Sequence, residues 1–368
     1  MTASSIPNLS TFRRGGSRLR GRGHGDNPST PTTTTDHRIA NPPHPSAIKD
    51  RIIRATDTDA ATSRLSAVKA GYLDDPFAHH LYSHVSVDGK SPRRLPLMNR
   101  GTYTRTVAEA NHQLGAGSDT RFFRLRRKYP GLDLMYYELD MLQNVQAKIR
   151  HLRSAAFAKA YEEHCHRKWE FTVSESAEGE ATSLQANGYT LMAMNLRELV
   201  KATTSDDGPA TTPPQTSTLQ FDAAVPTLLL SEMALCYLTP SWTTQILNHF
   251  THTLVPPPTP LSIVLYEPIN PHTAFGRTMT SNLASRGISL PTLEAFVNGQ
   301  EAVDLSWVWK NWVDEEEKER VGELEWMDEV EESELLGSHY ALIWGWRSGR
   351  QVQGQSMWAE LKTPEGGR

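Results

Sequence analysis

The residues best placed to do chemistry are a glycine turn and two carboxylates. The turn is Leu114-Gly-Ala-Gly-Ser-Asp-Thr-Arg121. A Gly-x-Gly bend lets a ligand approach the backbone closely, and a helix that follows offers free N–H groups. An acidic residue at the end of the next strand can hold ribose hydroxyls. Asp140 fits, 23 residues after Gly117. The third glycine of the dinucleotide fingerprint is missing, which speaks against NAD. A ribose without phosphate, as in S-adenosyl-L-methionine, suits the pattern better. The second carboxylate, Glu232, follows the apolar run Pro226-Thr-Leu-Leu-Leu-Ser231. A carboxylate at the C-terminal end of a buried strand lies at the usual ligand crevice of an open α/β sheet.

The flanking sequence must supply the elements that hold these groups. Leu134 to Asp140 reads as a strand, followed by a helix through Ile149 and Leu152. Tyr189 to Met194 is a second strand. Pro226–Ser231 and Leu261–Glu267 have the continuous apolar pattern of buried parallel strands. Helical stretches run from Thr239 to His252 and from Ala274 to Ser285. This alternation predicts an α/β sheet with helices on both faces. Asp57 or Thr58 is read as the cap of a helix ending near Gly71. Asp314 to Glu334 reads as an exposed amphipathic helical segment, and Thr203 to Ser217 as a loop. No internal repeat is found.

Composition narrows the class. The chain has 368 residues, 38 basic and 42 acidic, with formal net charge −4 and mean hydropathy −0.50. Dedicated nucleic-acid binders are usually clearly basic, so none is expected as a partner. No apolar run approaches the ~20 residues of a membrane span, and no secretory signal is read. Cys165 and Cys236 cannot make a disulfide framework or a four-cysteine zinc site. The expectation is a soluble cytoplasmic protein. Residues 1–46, rich in Arg, Gly, Thr and Pro, are expected to form a disordered tail. Residues 47–350 are expected to fold, and 351–368 to form a C-terminal tail. In His164-Cys-His166 the two histidines do not share a helix face, so the segment is read as solvent-exposed and no metal site is expected. Trp307, Trp309 and Trp312 are read as helix packing rather than a peptide groove.

A set of ordered segments then carries a resemblance. They include Ala67 to Phe77, Met98-Asn-Arg-Gly-Thr-Tyr-Thr-Arg105, the Leu114–Arg121 turn and Tyr137-Glu-Leu-Asp140. Asn195-Leu-Arg197, Pro226 to Tyr237, Tyr266-Glu-Pro-Ile-Asn270, Leu324 to Glu329 and His339-Tyr340 follow. Together they resemble the leucine carboxyl methyltransferases, which methylate the C-terminal leucine of the protein phosphatase 2A catalytic subunit. The resemblance implies a Rossmann-like S-adenosyl-L-methionine-dependent methyltransferase sheet with an added helical lid. It implies that Arg105 grips the methionine carboxylate of the cofactor and that Gly115 and Gly117 form its turn. Asp140 would take the ribose. Asn195 and Leu196 would flank the adenine, where the family usually has Asp-Leu. Glu232 would sit near the amino group, Arg64 near the cofactor, and Tyr237 beside the incoming leucine carboxylate. Arg105 and Tyr237 are thus the expected catalytic-site residues, acting by positioning.

One departure stands out. Only Thr106-Val-Ala-Glu-Ala-Asn-His-Gln113 separates Arg105 from Leu114. The family has a helix and then an apolar strand there. The central strand is therefore expected to be truncated or missing, which would expose both neighbouring edges. The short spacer keeps a second reading open, a non-catalytic phosphatase-binding protein. A third is a small-molecule O-methyltransferase.

Overall fold

The structure, a computed structural model, describes residues 45–82, 93–110, 118–201, 222–291 and 302–347. Eight strands among them form two four-stranded sheets. In the first, β1 (Tyr136–Asp140) pairs in parallel with β4 (Tyr189–Ala193), from Tyr136 opposite Tyr189 to Asp140 opposite Ala193. β4 continues antiparallel to β3 (Ala181–Ala186), and β3 to β2 (Phe171–Glu175). The β3–β4 hairpin turns at Asn187-Gly188, of which Gly188 alone takes positive φ. Gly188 has φ +76°, and a Cβ there would lie 2.5 Å from the carbonyl oxygen of Leu134.

In the second sheet, β5 (Thr227–Glu232) runs parallel to β6 (Leu261–Pro268). β6 pairs antiparallel with β8 (Tyr340–Arg347), and β8 with β7 (Ala302–Asp304). The expected strands at 134–140, 189–194, 226–231 and 261–267 are thus all present. β2, β3, β7 and β8 went unread. Among the described residues, β1 and β5 are each an outer strand of their sheet. The spacer residues 111–117 lie outside the described residues, as does the expected loop 203–217. β5 departs from the doubly buried pattern expected of it. Leu230 is buried but Leu228 is 37% exposed. A strand with a described partner on one side only has less to cover it.

The first sheet packs on an aromatic core. Phe122, Phe123, Phe157, Trp169 and Tyr189 are all buried there, with Phe122 and Tyr189 rings 4.7 Å apart. α4 (Leu142–Leu152) lies on β3 and β4, as its buried Val145, Ile149 and Leu152 require. The second sheet has its own core around Val264, Leu342 and Trp344. A smaller cluster of Met194, Leu199, Val200, Ile246 and Phe250 joins the two, with Leu139 and Leu229 packed against it. α7 (Pro240–Asn248) contributes to that cluster after a Thr239 cap. α8 (Ala274–Ser285) occupies its expected span.

Four helices form a layer of their own: α1 (Pro45–Lys69), α2 (Pro96–Ala110), α9 (Leu305–Asn311) and α11 (Val330–Gly337). α1 corrects one expectation. The helix runs straight through Asp57 and Thr58, so neither is a cap. Nothing in the preceding residues breaks it, and the Asp57 carboxylate turns outward to accept hydrogen bonds from Ser118 N–H at 2.8 Å and its hydroxyl at 2.9 Å. The acidic stretch 314–334 is two helices, α10 (Glu315–Leu324) and α11, rather than one continuous segment. Asp314 caps the first. Between them Trp326 is 88% exposed. The 164–166 segment also differs in part. Cys165 is buried at the end of α5 (Ala155–Cys165), and His166, at φ +55°, closes the helix in the exposed position expected of it. The three tryptophans do pack: Trp309 meets Tyr103, and Trp312 meets Trp307 and Trp344.

Candidate active site

A cavity of about 1450 Å³ opens between β1 and β5 and is roofed by the helical layer. Arg64, Arg105, Asp140, Asn195, Leu196, Glu232 and Tyr237 all line it. Seven of the nine residues singled out in the sequence therefore meet in one place. Gly115 and Gly117 lie outside the described residues, and Ser118, immediately after them, lines the same cavity.

Asp140 ends β1. Its Oδ1 accepts the Met141 N–H at 2.6 Å, and both carboxylate oxygens accept from Asn144 Nδ2 at 3.2 and 3.1 Å. Burial pushes its pKa up to about 6; those hydrogen bonds oppose the rise and nearby Asp57 adds to it. A desolvated carboxylate facing a cavity is poised to accept hydrogen bonds from hydroxyl groups.

Glu232 ends β5 and sits between two arginines. Arg105 Nη1 lies 2.9 Å from Oε1, and Arg121 Nη2 donates to Oε2. Arg105 comes from α2 and lies 6.0 Å over the Tyr266 ring. Arg121 starts α3 (Arg121–Lys128), is 1% exposed and also faces Asp119 at 3.5 Å. Charge-assisted pairs of this kind are strong when shielded from water. Arg121 carried no role in the sequence reading, although it closes the glycine-turn motif. An arginine beside a turn usually lies at the surface, and its burial depends on a contact 111 residues away in sequence.

Arg64 is committed to Asp75, its Nε 2.6 Å from Oδ2. Burial alone would raise the Asp75 carboxyl. Arg64, Arg124 and the Thr120 hydroxyl outweigh it and hold the group below its usual range. Asn195 Oδ1 accepts the N–H of Arg197 at 3.2 Å and its Nε at 3.1 Å. Tyr237 lies on the short 3₁₀ turn Leu235–Tyr237, and its hydroxyl pairs with Thr56 of α1. Burial pushes its pKa well up, so it stays a neutral hydroxyl.

A buried network supports the loop after the glycine turn. Lys148 Nζ bonds Glu138 Oε2 at 2.5 Å and the carbonyl of Asp119 at 2.7 Å, and Tyr189 OH donates to Glu138 Oε2 at 2.8 Å. Burial raises the Glu138 carboxyl, with Lys148 pulling against it.

Comparison with known proteins places the chain in a family. Residues 106–251 match the family model described as leucine carboxyl methyltransferase. Leucine carboxyl methyltransferase 1 of Emericella nidulans is 40% identical over 390 aligned positions, covering 95% of this chain and 96% of that protein. The Aspergillus fumigatus protein of the same name is 41% identical over 95% of each chain. That of Schizosaccharomyces pombe is 30% identical over 79% of this chain and 93% of its own. The Emericella alignment is longer than this 368-residue chain, so the relative carries residues that have no counterpart here. None of the described helices is long and apolar enough to cross a membrane. Identity at this level over nearly the whole of both chains settles the family: the chain is a methyltransferase belonging to the leucine carboxyl methyltransferases.

Proposed function

We propose that this protein esterifies the C-terminal leucine carboxylate of the protein phosphatase 2A catalytic subunit, with S-adenosyl-L-methionine as donor, in the cytoplasm. The observation that carries the reading is one cavity flanked by Asp140 and Glu232 at the ends of parallel-paired strands, with Arg105 beside Glu232. The residues fit the cofactor chemically. Asp140 is a desolvated acceptor suited to a ribose diol. Leu196 supplies an apolar wall and Asn195 an amide for a base edge. Arg105, Arg121 and Glu232 form a charged cluster suited to an amino-acid end.

When bound, the cofactor supplies an electrophilic methyl group on a sulfonium centre. The chain's own task is positioning. An α-carboxyl group has a pKa of ~3.3–3.7 and is already an anion at neutral pH, so no general base is needed. Arg105 and Tyr237 would orient the carboxylates that meet in the cavity, and the hydroxyl of Tyr237 can donate without giving up its proton. The helical layer roofs the cavity, and shielding from water favours a reaction in which two opposite charges shrink.

The test is incubation of the full chain with the phosphatase and methyl-labelled donor. Label released by mild base from the C-terminal leucine is the expected result. Binding of phosphatase without incorporation would instead establish the non-catalytic reading, which the short 106–113 spacer favours.

A further inference from the structure

Glu232 and Tyr237 stand at the two ends of one tight turn. Met233 follows the strand at φ +49°, a left-handed conformation that L side chains rarely adopt and that costs of order 1–3 kcal/mol where it persists. Its N–H is tied to the carbonyl of Tyr266 on the neighbouring strand at 2.9 Å. Leu235 and Cys236 beyond it are buried. Something must hold this backbone, because the strained residue alone would relax.

The holding group is Glu267. It sits one residue beyond Tyr266 on β6, is 0% exposed, and accepts the Leu235 N–H on Oε1 at 3.1 Å. The amides of Ala234 and Cys236 and the Cys236 thiol also face its carboxyl. Its Oε2 is buried and accepts no hydrogen bond. A buried carboxyl oxygen that accepts a backbone N–H removed from water holds the turn locally, because leaving that N–H unpaired would be costly.

We propose that Glu267 is a positioning residue: by accepting the Leu235 N–H in the middle of the turn it stabilises the strained backbone and so aims Glu232 and Tyr237 into the cavity. The assignment of those two residues rests on the function proposed above. The clamp itself does not.

The chemistry of the site gives the clamp a pH dependence. Burial lifts the Glu267 carboxyl to about 8, against the pull of Cys236 and the turn amides. The other titratable groups around it are Cys236 and Tyr237 in the turn and Tyr340 of β8, with Arg105 of α2 as the cation that faces Tyr340. The cysteine and both tyrosines are themselves pushed upward by burial, so they remain neutral while Glu267 titrates. A raised carboxyl binds its proton more tightly in the closed turn than in the open one. The stabilisation it gives is full below the open-state value and is lost as pH rises through about 8.

Hydrogen exchange of the peptide spanning 233–238 tests this without any ligand. In the unaltered full chain the protection factor of the Leu235 amide should fall by up to about tenfold per pH unit between pH 6 and 8. Glu267→Gln, which keeps an acceptor and cannot ionise, should hold protection near the neutral-acid level and abolish the slope. Glu267→Ala should lower protection at least about tenfold at pH 6 and below, the scale of a lost buried acceptor, with the difference shrinking as pH rises through about 8. Titration with S-adenosylhomocysteine adds the second arm: Glu267→Ala weakens binding about tenfold or more, and the isosteric amide rescues it. A flat profile in the unaltered protein, the same slope in Glu267→Gln, or unchanged protection in a folded Glu267→Ala overturns the proposal. If Glu267→Ala does not fold, the slope in Glu267→Gln decides. If exchange behaves as expected and no nucleoside binds, the clamp stands and the cofactor reading falls.

Discussion

Asp140 offers a direct experiment on the proposed cofactor site. Its carboxyl rises from an ordinary 3.8 to about 6, first because it is buried. A unit of pKa is about 1.4 kcal/mol, so about 3 kcal/mol disfavours its charged form. Ribose hydroxyls would donate to that charged form and would bind poorly to the protonated acid. About nine carboxyls in ten are ionised at pH 7 and about one in ten at pH 5. Affinity for S-adenosylhomocysteine, measured by isothermal titration, should therefore rise about tenfold from pH 5 to pH 7 and level off above. Asp140→Asn should bind weakly and without that rise. Asp57→Asn provides an independent check, because Asp57 contributes to the upward shift. Removing its charge should move the midpoint to lower pH. The reasoning is refuted if the rise persists in Asp140→Asn, or if the unaltered protein binds equally at pH 5 and 7.

Two further outcomes follow from the packing. Arg121→Gln leaves Glu232 with one of its two arginines, so thermal stability and nucleoside affinity should both fall, within the ~3–5 kcal/mol typical of breaking a buried pair. Glu232→Gln alone should cost more, because it also releases Arg105, and the double mutant should fall short of the sum of the two single costs; strict additivity in thermal melts would contradict the pairing. Gly188→Ala forces a Cβ to within 2.5 Å of the Leu134 carbonyl at positive φ, and should lower the melting temperature by several degrees, equivalent to about 1–3 kcal/mol.

The strands at 136–140, 189–193, 227–232 and 261–268 were legible because each is a short run of apolar residues bounded by turns. The carboxylates ending two of them could be picked out by position alone. β2 and β3 were not legible. Their side chains alternate weakly, with Thr, Ser, Gln and Glu among them, and only the Asn187-Gly188 turn marks the hairpin. β8 was missed although it is mostly apolar, because Ala341 to Trp344 are buried in succession and so show no alternation, and Gly345 interrupts the run. Asp57 was misread for a different reason. A local cap and a long-range acceptor use the same side chain, and only the fold brings Ser118 within reach. Arg121 and Glu267 share that limit. Each takes its meaning from a residue far away in sequence, Glu232 for the first and Leu235 for the second.

The separation of the two sheets has a mechanical consequence. Among the described residues no backbone ladder ties β1 to β5; the cluster around Met194, Ile246 and Phe250 and the polar chain from Glu138 through Lys148, Asp119 and Arg121 to Glu232 bridge them. Dispersion contacts are individually weak and directionless, unlike a row of amide bonds. The spacing between Asp140 and Glu232 therefore leans on how tightly a few greasy side chains mesh as well as on that charged bridge, and trimming Phe250 would loosen the grip on a ligand from a distance.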